Sequence, residues 1–275
     1  MMKQFIWVIK SFILIATIAT LISCGTKNEG CTDANASNFD VSADENCCCT
    51  YPTMGITFNF LFDDTIVSAQ NPVVDANGDI VSIPKINFYV SDIHWTYSDG
   101  TEHRSDKRVW LFTKIMNPND SIRSIDDYFL INQGFLTLQN YTFYEPFQLT
   151  KLKFVVGVAD SALTNQPKYM KNVGHPLAAK TDSMYDYVSG QYKTMKLYLD
   201  TNSIIERRDT FSINTSDARQ NFEFDVNYKS VLGFDNKILI NVHIDKLIEG
   251  ISFRNDDKNT IVQKLSNNLK NIFGP

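Results

Sequence analysis

This sequence predicts an all-β fold, an antiparallel β-sandwich with long loops and one C-terminal helix, on three observations. Apolar and polar residues alternate with a period of two in stretches spread from residue 56 to residue 244, Asn-Gly and Asp-Gly pairs stand beside such stretches, and a helical apolar period occurs near the end. Period-two alternation turns one face of a strand to the core and the other to water, which antiparallel sheets packed face to face satisfy. A parallel sheet would instead need strands apolar on both faces, with helices between them.

The elements follow in order. Ile56, Phe58, Phe60 and Phe62 alternate with Thr57, Asn59 and Leu61, so four large apolar groups share one strand face. Asn77-Gly78, between Val73-Val74 and Ile80-Val81, predicts a two-residue hairpin turn, because both positions favour positive φ. Asp99-Gly100 predicts a second. Further strands are predicted at Ile86, Phe88 and Val90; Leu152, Phe154, Val156 and Val158; Met195, Leu197 and Leu199; Phe222, Phe224 and Val226; and Ile238, Ile240, Val242 and Ile244. Ile261, Leu265, Leu269 and Ile272 recur at helical spacing, with Asp256 or Asp257 as the cap and Gly274 as the stop. The helix is expected to cover one end or edge of the sandwich.

The first residues read as an export signal. Lys3 and Lys10 precede an uncharged apolar run that ends in Leu-Ile-Ser-Cys at Cys24. The run is too short to span ~30 Å of hydrocarbon comfortably. The tetrapeptide resembles the bacterial lipoprotein signal, which implies cleavage after residue 23, lipidation of Cys24 and tethering to a membrane. Gly25 in place of an aspartate favours the outer membrane, and each buried lipid methylene holds by ~0.8 kcal/mol. The expected organisation is a signal peptide (1–23), a lipidated, cysteine-rich spacer (24–54) and the sandwich domain (55–275). Cleavage removes two lysines, taking the formal charge from −5 to −7. A mildly acidic chain is a poor partner for nucleic acid.

Four cysteines remain after Cys24, namely Cys31, Cys47, Cys48 and Cys49. In an oxidising compartment Cys31 is expected to bond one of the other three, pinning a segment too small to own a core. The stretch GCTDANASNFDVSADENCCCTYP (30–52) resembles a short module common in exported proteins of Bacteroidetes, with its single closing cysteine tripled here.

Beyond the spacer, GDIVSIPKINFYVSDI (78–93), LTKLKFVVGV (149–158), HPL (175–177), MYDYVSGQYKTMKL (184–197) and ILINVHIDKLIEG (238–250) follow one another in an order that resembles the MbnP-like family of exported copper-binding proteins. The resemblance implies a secreted β-sandwich with one copper held by histidines. In some members it also implies a tryptophan oxidised to kynurenine beside the copper, with a haem peroxidase as the partner that oxidises it. Many members carry Trp-x-Trp where this chain has Tyr185 and Tyr187, and FSINTSDARQNFEF (211–224) lacks a histidine often found there.

The histidines are His94, His103, His175 and His243, and imidazole is the ligand that copper prefers once the thiols are oxidised. If the Asp99-Gly100 turn has two residues, His103 stands opposite Thr96 and is the diagonal neighbour of His94 on one face, about 7 Å apart at Cβ. One extra loop residue puts them on opposite faces. His175 is a candidate third ligand, with Met184 as a soft alternative, while His243 is expected at the surface. Trp95, beside His94, is the candidate modified tryptophan, and Trp110, the other tryptophan of the mature chain, is the alternative target of that oxidation. No GxSxG, HExxH, P-loop or GxGxxG is present, so no enzyme is expected. Two functions follow: copper capture or buffering at the cell envelope, with a metal-uptake protein as a candidate partner, or an interaction module for protein or glycan on the same sandwich with the metal site lost.

Overall fold

A computed structural model of the protein describes residues 27–274 except 69–70, 113–120, 133–135, 179–183, 202–206 and 217. Cys24 and the signal segment lie outside the described residues. In chain order the strands are β1 (Glu29–Gly30), β2 (Glu45–Asn46), β3 (Thr53–Phe62), β4 (Thr65–Ile66), β5 (Val73–Val74), β6 (Ile80–Tyr97), β7 (Glu102–His103), β8 (Arg108–Phe112), β9 (Ser121–Ile125), β10 (Phe129–Asn132), β11 (Thr137–Thr142), β12 (Gln148–Val156), β13 (Tyr185–Asp186), β14 (Gln191–Thr201), β15 (Arg207–Asn214), β16 (Gln220–Lys229), β17 (Asn236–His243) and β18 (Phe273–Gly274). Two helices, α1 (Ile244–Leu247) and α2 (Lys258–Asn268), fall between the last two strands.

The strands form an all-β sandwich. One sheet runs β13-β14-β6-β12-β16, with β5, β7, β10 and β15 added; the other runs β11-β3-β17-β18, with β4 added. The alternating residues read from the sequence meet between them. Phe58 of β3 is fully buried and packs edge-to-face on Phe88 of β6 and Phe154 of β12, with ring centroids 5.4 and 6.0 Å away. Antiparallel pairing holds throughout both sheets except for β17, which runs parallel to β3 in continuous register from Asn236↔Met54 to His243↔Leu61. Side-chain alternation carries no information on strand direction, so this pairing is invisible to it.

Strand β6 departs from the one-face expectation. Ile86, Phe88 and Val90 enter the sandwich core, while the intervening Asn87, Tyr89 and Ser91 are equally buried on the opposite face. A second, smaller core covers that face, built from Tyr89, Leu111, Tyr128, Val158, Met170, Leu177, Met184 and Tyr192. The long loops are thus a packed layer outside the sheet.

Asp257 caps α2, accepting from the Asn259 and Thr260 amides at 2.9 and 3.1 Å. Ile261, Leu265, Leu269 and Ile272 are buried in the sandwich core, and α2 packs on β15, at the border of the larger sheet. Gly274 does not stop the helix. A 3-10 turn at Leu269–Asn271 does, and Phe273–Gly274 continue as a strand paired with β17. In the spacer, Cys31 bonds Cys49; closing a loop of that length contributes ~3 kcal/mol. The spacer meets the sandwich at Asp235, whose carboxylate accepts from the Thr53 amide at 2.8 Å.

Candidate metal centre and binding cleft

The hairpin between β6 and β7 decides where two of the four histidines point. Tyr97 N–H donates to Thr101 O at 2.9 Å and Gly100 N–H to Tyr97 O at 3.0 Å, leaving a three-residue loop of Ser98, Asp99 and Gly100. Gly100 takes the left-handed conformation, φ +86°, that closes such loops. The turn at Asn77-Gly78 is built the same way, with Gly78 at φ +84° and Asp75 N–H bonded to Asp79 O. The third residue moves the register by one, so His103 stands opposite Trp95 rather than Thr96. His94 and His103 therefore lie on opposite faces of the sheet.

On the inner face, Trp95 is fully buried and its Nε1 donates to Asn140 Oδ1 at 3.1 Å. His103 lies against Tyr97, ring centroids 4.1 Å apart, with Nδ1 2.9 Å from the Tyr141 hydroxyl. On the outer face, His94 stands between two carboxylates, Nδ1 at 3.3 Å from Glu102 Oε2 and Nε2 at 3.4 Å from Asp92 Oδ1. Asp92 takes φ +53° at a bulge in β6, which swings its carboxylate under the imidazole. The hydrogen bond to Asp92 raises the His94 pKa above the ordinary 6.5, Glu102 adding to it and burial opposing. Arg104 bonds both Asp92 and the buried Asp127, and Lys153 reaches Glu102 at 3.3 Å. Burial pushes the Asp127 carboxyl up, against the pull of Arg104. Two fixed cations already balance these carboxylates, so a metal ion would enter against like charge.

His175 is buried with both ring nitrogens engaged: Leu177 N–H donates to Nδ1 at 3.1 Å, and Nε2 lies 2.9 Å from Asp126 Oδ1. Met184 is buried in the outer core. His243 ends β17 in the other sheet, partly exposed, 3.9 Å from Asp245. The structure brings no two of the four histidines into one constellation. Among the described residues no group of three His, Cys, Asp or Glu side chains is placed to hold a metal ion. A histidine-ligated copper does not fit this donor set.

What the structure assembles instead is a cleft on the outer layer. Its floor is fixed by hydroxyls and one amide. Tyr89 and Tyr192 donate to the carbonyls of Pro176 and Leu177 at 2.9 and 2.8 Å, and burial raises both phenol pKa values, keeping them protonated donors. Asn165, 1% exposed, accepts from Phe112 N–H at 2.8 Å and donates to Tyr192 Oη at 2.7 Å. This network clamps the 160–178 segment against the β8-β9 hairpin and leaves a cleft of about 560 Å³ between them. Trp110, Phe112 and Tyr169 line it together with Arg108, Lys171 and Asn172. Trp110 is 54% exposed. The His175–Asp126 pair forms a wall shared with a neighbouring polar cleft of about 470 Å³.

Tyr169, Asp126 and Asn165 are absent from the candidates drawn from the sequence, and Trp110 is among them only as a target of oxidation. One signal was present: Arg108, Trp110 and Phe112 alternate with Val109 and Leu111, which puts the indole and guanidinium together on the face away from Leu111. Asn165 and Tyr169 sit in aperiodic loops and gave none.

Tyr185 and Tyr187, in the Trp-x-Trp positions, stack edge-to-face at 5.0 Å, and Tyr185 packs on Tyr192 at 4.9 Å. Tyr185 supports the outer core while Tyr187 stands exposed, and neither brings a nitrogen ligand.

Among curated proteins none matches this chain by sequence. Among solved structures, MbnP from Methylosinus trichosporium matches with a TM-score of 0.49 at 11% identity, over 80% of this chain and 96% of that one. The sequence profile of the MbnP family matches residues 51–264, the whole sandwich up to the middle of α2. The chain belongs to the MbnP family.

Proposed function

We propose that the protein is a membrane-tethered, extracytoplasmic binding module of the MbnP family, lipidated at Cys24, whose outer cleft receives a segment of a partner protein and which holds no resident copper. The observation that carries this reading is the contrast between the histidines and the cleft. His94, His103 and His175 are each engaged by partners of their own and His243 stands apart in the other sheet, whereas Trp110 stands exposed on a cleft that pairs aromatic rings with Arg108 and Lys171. Tryptophan, tyrosine, methionine and arginine are the residues enriched where proteins bind one another, and a desolvated aromatic anchor beside arginine is the usual hot-spot chemistry. The cations select a segment that carries acidic as well as apolar side chains. Cysteine-pinned spacer residues set the cleft off from the membrane.

Copper capture or buffering is the second reading, favoured by family membership. It requires His94 to leave Asp92 and Glu102, or His175 to leave Asp126 and the Leu177 amide. In-cell cross-linking read by mass spectrometry separates the two. The binding reading expects one envelope protein captured at the cleft by the native chain and by His94→Ala, and lost with Trp110→Ala. Capture unaffected by Trp110→Ala overturns it, as does stoichiometric copper that His94→Ala or His175→Ala removes.

A further inference from the structure

Among the described residues, the spacer holds two cysteines that the Cys31–Cys49 bond does not use, Cys47 and Cys48. Their sulfurs lie 2.7 Å apart, closer than non-bonded sulfur atoms rest. Adjacent residues normally cannot come so near through their side chains. Here Cys48 takes the left-handed conformation, φ +58°, which is costly for a residue with a Cβ and persists only where surroundings enforce it. The enforcing contacts are on both sides. Asn38 Nδ2 donates to Cys48 O at 2.8 Å while its Oδ1 accepts from Thr50 N–H at 2.8 Å, and Cys49 is anchored to Cys31. A folded turn thus presses two thiols together at the surface, Cys47 half-buried and Cys48 exposed.

We infer that Cys47 and Cys48 form a redox-active pair that closes as a vicinal disulfide after export, separate from and more readily reduced than Cys31–Cys49. The reactant class is a donor disulfide, on a protein or a small thiol carrier. The exposed Cys48 thiolate attacks one donor sulfur, forming a mixed disulfide and releasing the other donor sulfur as a thiolate. Cys47 then attacks Cys48 Sγ, and the remaining donor sulfur leaves. One donor disulfide is reduced to a dithiol, the two protons of Cys47 and Cys48 pass to it, and one new S–S bond forms in the spacer. Cys48 is the exposed member of the pair and Cys47 the half-buried one, so Cys48 meets the donor first and starts the exchange. The difference in stability against reduction follows from reach. Cys31 and Cys49 have Cα atoms 4.9 Å apart, inside the range unstrained disulfides span. Neighbours across a trans peptide sit at about 3.8 Å, outside it, and strained, exposed disulfides are the labile ones.

The test is thiol counting on the full chain exported by its own signal, purified without reductant, then denatured with a chelator and treated with maleimide. No adduct is expected before reduction. A weak reductant should release two adducts, both on the Cys47-Cys48 pair, and a strong one should add those on Cys31 and Cys49. Because loss of a disulfide can unfold the spacer, the variant Cys31→Ser/Cys49→Ser provides an independent check and should still give no adduct before reduction. Two adducts at Cys47 and Cys48 in the unreduced native chain would overturn the inference. So would release of Cys31 and Cys49 before, or together with, the vicinal pair.

Discussion

The protein has two cores on opposite faces of its larger sheet, and they are held by different physics. Between the sheets, Phe58, Phe88, Phe154 and their aliphatic neighbours bury apolar surface, with the Trp95–Asn140 hydrogen bond as a polar exception. Outside β6, Tyr89, Tyr128, Tyr192 and Asn165 are buried too, but each is fixed by directed hydrogen bonds to loop backbone or hydroxyls. An apolar core loses stability in proportion to the volume removed, whereas a buried polar network fails at the orphaned partner of the deleted group. The sandwich therefore supplies stability, and the outer layer supplies shape for the cleft at lower local stability.

Three substitutions would break or sharpen this division, beginning with the largest effect. Phe58→Ala should cost ~3 to 5 kcal/mol in equilibrium denaturation, because it opens a cavity against three aromatic neighbours. A loss near that of a surface site would mean that the two sheets do not share one core. Asn165→Leu should cost about 2 kcal/mol, since it leaves the Phe112 amide and Tyr192 hydroxyl short of a partner. Hydrogen exchange should then rise in 160–178 and in β8 while β12 and β14 keep their protection; equal loss in the strands would merge the two regions into one unit.

The smallest effect is electrostatic. His94 has a pKa raised in the folded state by Asp92 and Glu102, so its protonated form adds stability that is full below the ordinary 6.5 and disappears as pH rises through the folded value. Asp92, held below its ordinary value chiefly by the hydrogen bond to His94, keeps its charge in the same window. The stability difference between native protein and His94→Gln should thus be greatest at about pH 5 to 6 and shrink toward pH 8. A difference that grows with pH would contradict the charge assignment.

Much of the sandwich was legible because its strands obey a strict period. Ile56, Phe58 and Phe60, like Ile238, Ile240 and Val242, are buried where alternation put them. The parallel β3–β17 pair was not, since the same alternation fits either direction. The hairpin turn was recognised at Asp99-Gly100, yet its loop is one residue longer than the two-residue reading, and that residue parts His94 from His103. The cleft was hidden for a different reason: Asn165 and Tyr169 act through tertiary contacts made by segments with no period of their own. Family membership carries the fold, while a site rests on individual residues, and here those residues stand apart: His94 and His103 on opposite faces, His175 in the outer layer and His243 in the other sheet.

Copper content tests the central claim most directly. Mature, oxidised protein would be reconstituted with Cu(I) and with Cu(II), passed over a competing chelator, and compared with His94→Ala/His103→Ala. The account predicts no copper retained tighter than about micromolar in either protein. One copper per native chain, held more tightly and lost in the double variant, would contradict it.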